Sequence, residues 1–588
     1  MSSDRRPDTA IKLTILLVLA CLLLFAGLGD MGLTDRDEGR NAEAGREMFA
    51  SGDLITPTFN GELRVAKPVF VYWLMTLSYH AFGVNEFAAR FPSALFGVGL
   101  ILMQFLFLSR LRGTSAGFAG ALMLLLNIEM LALGRMAITD SVLIFFTTLS
   151  LYGFWLGLHE PGAGRHWMWG FYVGMAIATL TKGPVGFLVP LLTAGLYLTA
   201  ARRWALFWRQ GFPIAGTVVF LLLAGPWYTA MFLIHGDAYG SQAKVHTVGR
   251  FLAPMEGHGA GVWFYIPVLL LGFFPWSMLL PAAFYRTYYG WKERRRAAHG
   301  ESLSAEAQHS VRSGDELEWF AALWTVGTFV FFTLSSTRLP HYIGPLFPAA
   351  SLLAALYWSR ALADPATRGI RGSIHAITAV GYLLAIGFAC VPTLYAKFAG
   401  KLVKEFPLAV QFNLGFGPYV GAVVLLVGMG LVGYVGLNEE RRGKVLGIAG
   451  GVVATVFLLA VFTVIPGINR YAIAPPQELA YAAGLNLDPS DQFIAFGTTR
   501  PSIAFYSRRK VLFVPPGEAD RLKTALKRPG RTMILLQEAM RESLPKEAAT
   551  FQPVLKRHGY VLLASQPMVT IPESATTPPT PPPTIMGH

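Results

Sequence analysis

Runs of apolar residues long enough to cross a hydrocarbon layer, about 20 residues each, recur along most of the chain. They predict membrane spans near 10–29, 91–109, 114–132, 138–158, 168–182, 184–200, 211–233, 262–284, 317–335, 340–358, 373–395, 417–437 and 445–465. One set of connections between them carries Arg110 and Arg112; Arg165; Arg202, Arg203 and Arg209; Arg286, Lys292 and Arg294 to Arg296; Arg360, Arg368 and Arg371; and Arg441, Arg442 and Lys444. Lysine and arginine collect in cytoplasmic loops. All of these clusters share a side only if thirteen spans are real, including the short pair that meets at Lys182-Gly183-Pro184. The N-terminus is then inside and the C-terminus outside. The first run follows Arg5 and Arg6 without a clean small-residue cleavage site, so it reads as an uncleaved span.

The opposite connections hold the unusual residues. The stretch 34–48, TDRDEGRNAEAGREM, packs five acids and three arginines into fifteen positions and reads as a helix from Asp37 onward. Segment 66–84 is apolar but carries Lys67, Pro68 and His80, which predicts an interfacial helix on the same side. The loop between the spans 373–395 and 417–437 carries Lys397, Lys401 and Lys404, against the charge bias, which points to contact with anions. Beyond Val464 the pattern changes. Segments 492–497, 510–514, 532–536 and 560–565 read as short buried strands, with helices at 500–507, 518–528 and 538–544 between them. The expected architecture is a polytopic α-helical membrane protein with a small C-terminal α/β periplasmic domain. It divides into 1–465 (with outer-surface helices at 34–84), 466–571, and a disordered Thr/Pro-rich tail at 572–588.

Composition agrees: 53% of residues are hydrophobic and 14% charged, against about 25% charged in soluble proteins. The net charge of +14 follows from loop topology and is no nucleic-acid footprint. Two cysteines, both in apolar runs, exclude a disulfide framework and a cysteine metal site.

The candidate chemistry lies on the outer side. Asp37 and Glu38 are a carboxylate pair suited to a general base, a metal ligand or a substrate anchor, or simply to a helix N-terminus. Asp140, in RMAITDSVLIFF, is a second acid, or a cap. Lys67, Lys182 and Arg338 are cations on the same surface, with Arg40 a fourth and His341 and Tyr342 following Arg338. Each alone is compatible with a snorkelling side chain. Together, cations beside carboxylates at a lipid-facing surface suit a lipid-linked phosphate as leaving group, because they neutralise the charge developing on it.

These residues carry a resemblance. DEGRNAEAGREM resembles the first-outer-loop signature of the bacterial branch of GT-C membrane glycosyltransferases, which includes the lipid A aminoarabinose transferases and relatives of the protein O-mannosyltransferases. AKPVFVYW, RMAITDSVLIFF, TKGPVG, FFPWSMLLP and RLPHYIGPLFP resemble further elements in the same order, between Asp37 and about Pro348. Two positions depart from the pattern. Ala66 stands where the aminoarabinose transferases typically carry Glu, and Arg338 with His341 replaces the usual Lys-Leu-Pro-Thr-Tyr.

The resemblance implies a GT-C glycosyltransferase of the bacterial inner (plasma) membrane with its active site facing the periplasm. It would move a pentose such as 4-amino-4-deoxy-arabinose, or a hexose, from a polyprenyl-phosphate donor to lipid A or another envelope glycolipid. Asp37, Asp140 and Glu38 would be catalytic; Lys67, Arg40, Lys182, Arg338, His341, Tyr342 and Tyr72 would bind substrate. The resemblance fixes no cofactor and leaves a divalent metal open, but with Ala66 in place of Glu a metal seat built on that carboxylate is not assumed. Asp37 would act as base toward a hydroxyl acceptor, or orient a phosphate acceptor and stabilise positive ring charge. A protein O-mannosyltransferase-like activity is one alternative. A lipid-linked sugar flippase is another, but it predicts charges at span midpoints, and the span interiors are bare.

Overall fold

The computed structural model describes residues 5–160, 162–249, 261–298 and 316–566. The loop residues 250–260, with His258, and the Thr/Pro-rich tail lie outside this set. Each predicted span corresponds to a helix or helix pair. Among the described residues nine helices are long and apolar enough to cross a membrane, and the bent pair Tyr265–Gly272 and Trp276–Arg294 makes a tenth. The other three are short: Thr114–Leu125, Val185–Ala200 and Met168–Lys182.

Two spans differ from their predicted form, for local reasons. The run 114–132 breaks at Asn127, whose side chain accepts the Met130 N–H (3.2 Å) and starts a separate helix, Ile128–Leu133. The run 262–284 turns by 106° at Phe273-Phe274-Pro275, where proline cannot donate the next helical hydrogen bond. The last span also runs on. Arg442–Asn486 is one helical stretch, so the expected boundary at 465/466 falls within a continuous rod that leads into the C-terminal domain.

That domain holds a five-stranded sheet in the order β4-β3-β5-β7-β6: β3 (Gln492–Phe496), β4 (Val511–Val514), β5 (Thr532–Gln537), β6 (Gln552–Arg557) and β7 (Tyr560–Ala564). β3 runs parallel to β4 and β5, and β7 antiparallel to β5 and β6. Alternate residues face opposite ways. Ile494, Phe496, Ile534, Leu536, Val561 and Leu563 form a small outer core. Phe493, Ala495, Met533, Leu535 and Leu562 face inward and share a core with Ile503, Leu33, Ala42, Met48 and Tyr72. The sheet is thereby packed onto the first outer loop.

That loop supplies two crossed helices, Asp37–Ser51 and Phe70–Phe82. Ala42 and Gly45 let them approach. A Cβ on Gly45 would sit 2.9 Å from the Met75 side chain, and the Tyr79 hydroxyl donates to the Ala42 carbonyl (3.1 Å). Between the helices is a hairpin of β1 (Thr58–Phe59) and β2 (Glu62–Leu63). It turns on Asn60-Gly61, both at positive φ, the pair that two-residue hairpins favour.

Candidate active site

Asp37 is the first residue of its helix, and the next residue fixes its position. Glu38 is almost fully buried, and its carboxylate receives Arg90 Nε (2.8 Å) and Nη2 (3.0 Å), the Thr34 N–H and hydroxyl (2.7 and 2.8 Å) and the Ala137 N–H (2.8 Å). Burial would raise its pKa, but Arg90 and these donors hold it below the usual carboxylate range. Arg90 in turn donates to the carbonyls of Leu28, Met31 and Gly32. Every lone pair that faces the protein is in use, so this geometry makes Glu38 a fastener of the loop.

The Ala137 contact brings the second acid to the first. Residues 135–139 connect to the helix Asp140–His159, and Ala137 is gripped on both sides: its N–H by Glu38 and its carbonyl by Asn41 Nδ2 (3.2 Å). The Ser93 hydroxyl donates to the Ile138 carbonyl (3.2 Å) and the Ser141 hydroxyl to the Ser93 carbonyl (2.7 Å). Asp140 therefore opens its helix beside Asp37. Lys182 ends the helix Met168–Lys182, which Gly183 terminates at φ 72°. Its ammonium reaches Asp140 Oδ1 at 2.5 Å and lies 4.8 Å from the centre of the Tyr342 ring.

Lys67, buried after the hairpin, and His341 complete the cluster: each acts electrostatically on both Asp37 and Asp140. Burial alone would raise the Asp37 pKa, but Lys67, Arg64, His341 and Lys182 outweigh it and bring the carboxyl down to about 2. Three cations (Lys67, Lys182, Arg64) thus surround two carboxylates, leaving the site positive when His341 is neutral. Tyr72 enters through Arg64, whose guanidinium donates to the Tyr72 hydroxyl (2.8 Å) and to Asn41 Oδ1 (2.9 Å).

Arg338 and Arg40 are the remaining expected members. Arg338 donates to the Thr333 carbonyl (2.8 Å) and lies near Tyr265, which also faces Tyr342. It thus borders the cluster through that tyrosine pair. Arg40 is half-buried on the Asp37 helix. The sequence reading passed over Arg64, Asn41 and Arg90. It also passed over Glu129, which acts on Asp140 from inside what hydropathy reads as a span. Arg64 lies three residues before Lys67 on the far side of an Asn-Gly turn, the one signal that pointed to it. Among the described residues no three metal-ligating side chains converge. The Lys182 ammonium occupies the Asp140 carboxylate, so the donor set fits a divalent ion poorly.

A family model described as dolichyl-phosphate-mannose-protein mannosyltransferase matches residues 15–240. An undecaprenyl phosphate-alpha-4-amino-4-deoxy-L-arabinose arabinosyl transferase of Edwardsiella ictaluri is 31% identical over 64% of this chain and 65% of its own length. One from Sodalis glossinidius is 32% identical over 67% of this chain and 66% of its own. The match thus spans just under two thirds of these relatives. The crystal structure of ArnT from Cupriavidus metallidurans bound to undecaprenyl phosphate superposes with a TM-score of 0.75 at 22% identity, covering 96% of this chain and 99% of that one. The chain is similar to the aminoarabinose transferases and shares the GT-C fold of the ArnT structure. It is a multi-pass membrane protein, and the GT-C architecture extends from the N-terminal span to the last strand of the C-terminal sheet.

Proposed function

We propose that this protein transfers a sugar, of the 4-amino-4-deoxy-arabinose class, from a polyprenyl-phosphate donor to lipid A. The reaction would take place at the periplasmic face of the bacterial inner membrane. The observation that carries the reading is the meeting of Asp37 and Asp140 with Lys67, Lys182 and Arg64 in one partly buried cluster. The relatives named for undecaprenyl-phosphate-linked arabinosyl transfer supply the substrate class. The excess of basic residues in the connections opposite the cluster supports its periplasmic orientation.

In this mechanism an acceptor oxygen attacks the anomeric carbon as its bond to the donor phosphate breaks, with inversion. Positive charge grows on the ring and negative charge on the departing phosphate. Lys67, Lys182 and Arg64 stabilise the phosphate because they are already oriented and partly desolvated. Asp37, with a pKa near 2, is a poor proton acceptor at envelope pH. Its part is to hold positive charge on the ring and orient the nucleophile, which suits a phosphate acceptor that needs no deprotonation. Asp140 sets the Lys182 ammonium and shares the ring charge.

Mass spectrometry of lipid A and of envelope glycoproteins, with and without the gene, tests the reading. A pentosamine mass lost from lipid A is the expected result, and a hexose lost from protein would replace this reading with a mannosyltransferase one. In the purified protein, Lys67→Ala should raise KM for the donor at least tenfold and leave KM for the acceptor unchanged.

A further inference from the structure

The helix Ile370–Leu402 is 33 residues long, more than a bilayer core needs. Its neighbour, Gly417–Gly436, runs antiparallel to it: Gly436 faces Ile374, Gly433 faces Thr378, Gly430 faces Tyr382 and Gly421 faces Phe388. This register puts Gly417 level with about residue 393, so the last ten or so residues of the longer helix stand roughly 15 Å above the start of its partner. The projection is on the same side as the candidate active site. Arg500 donates to the Glu405 carbonyl (2.9 Å) and lies 3.7 Å from Asp35, two residues before Asp37. Gln537 donates to the Lys404 carbonyl (3.1 Å).

One face of the projection is covered: the Tyr395 hydroxyl donates to the Ala409 carbonyl, and its ring meets Phe412. The other is open. Leu394 is 49% exposed, Phe398 43% and Leu402 39%, and these positions continue the lipid-facing stripe of Leu383 and Ile386 below. Lys397 and Lys401, four residues apart on this helix, are exposed and lie over the Phe398 ring at 5.8 and 5.1 Å. Lys404 is exposed in the turn that follows, and the nearest acid in sequence is Glu405. Three cations on the side where lysine is normally depleted call for an anion.

We infer that Lys397, Lys401 and Lys404 dock the phosphorylated sugar headgroup of an acylated glycolipid whose chains lie along the Leu394–Phe398–Leu402 stripe. This rests on the proposed function, in which such a lipid is the acceptor. Charge separates it from a phospholipid: a single phosphate needs one cation, whereas three lysines match a headgroup that carries two phosphates. The donor's single phosphate is drawn instead to Lys67, Lys182 and Arg64.

The test uses the full chain in nanodiscs or detergent. Three probes are titrated by native mass spectrometry: a bisphosphorylated lipid A disaccharide, its dephosphorylated form and phosphatidylglycerol. The variant K397E/K401E/K404E should bind the bisphosphorylated probe at least tenfold more weakly, with the other two changed less than twofold. In turnover it should raise acceptor KM at least tenfold while kcat and donor KM stay within twofold. Unchanged binding of the bisphosphorylated probe, or an equal loss for phosphatidylglycerol, would overturn the proposal. Should the charge-reversed protein not fold, K397Q/K401Q/K404Q carries the same test with a smaller expected loss. Binding is read without turnover. Lost binding in a protein that transfers no sugar would leave the docking surface standing and remove the transferase reading, and retained binding in an active enzyme would do the reverse.

Discussion

Asp37→Asn is the most informative single change, because it separates charge stabilisation from proton transfer. The carboxyl is held at about 2 instead of 3.8, and each unit corresponds to 1.36 kcal/mol, so the ionised group gains up to about 2 kcal/mol from its surroundings. The shift is downward. This contribution is therefore fully present above pH 4 and is lost as pH falls from 3.8 toward 2. At neutral pH the amide keeps the shape and removes the charge, leaving Lys67, Arg64 and Lys182 to repel one another. The fold should lose no more than that 2 kcal/mol, while kcat should fall about 100- to 1000-fold, the scale of removing one oriented charge partner from a reacting centre. The assay is turnover of purified protein in nanodiscs with a polyprenyl-phosphate pentosamine donor and lipid A, followed by mass spectrometry from pH 4.5 to 8. The wild type should show no acid limb in kcat/KM that depends on Asp37. A variant with kcat within threefold of wild type refutes the charge role. A limb near neutrality that vanishes in the variant's residual activity would make Asp37 a base.

Three further outcomes follow from the packing. Arg90→Ala leaves Glu38 ionised and buried without its partner, a loss of about 3–5 kcal/mol; a monodisperse protein with a wild-type melting temperature would contradict the fastening role. Gly39→Ala introduces a Cβ 2.7 Å from the Ser502 backbone nitrogen, an overpacking of about 1–3 kcal/mol, and should speed hydrogen exchange in the helix Asp37–Ser51. Glu43 is pushed up to about 7, mainly by burial and also by neighbouring Glu47, with Arg46 opposing. Because that shift is upward, the folded state binds the extra proton between pH 4.5 and 7, so stability should fall as pH rises through that window. Glu43→Gln should flatten this slope in a melting-temperature profile; an unchanged slope counts against the assignment.

Hydropathy located the spans because each rule it uses acts locally. A span must be apolar along its own length, and the positive-inside bias then fixes which side each loop occupies. Where local signals competed, the reading slipped. Asn127 splits one apolar run by capping a new helix. Segment 552–557 is absent from the expected strands, yet it forms β6, the edge of its sheet, where the missing N–H of Pro553 costs little. In the candidate site, the acids and lysines were legible as residue types gathered on one face. Their partners were not. That Glu38 faces Arg90 while Asp37 faces Lys67 and Arg64 depends on which way two adjacent side chains leave a helix start. That Arg338 turns to the Thr333 carbonyl depends on a loop conformation with no sequence period.

The C-terminal sheet domain grips the loop that carries Asp37. Ser502 N–H reaches Asp35 (3.1 Å), the Tyr506 hydroxyl accepts from Leu33 N–H (3.0 Å), Asn60 and Val511 exchange two hydrogen bonds (both 2.8 Å), and Gln477 holds the Leu33 carbonyl (2.6 Å). These partners are more than four hundred positions apart. A ribosome therefore releases the loop that carries Asp37 long before the part that steadies it has been made, and the nascent chain must wait with its acids unlatched. Termination ahead of Ser502 would leave a helical bundle whose Asp37 loop lacks the Ser502, Tyr506 and Val511 contacts.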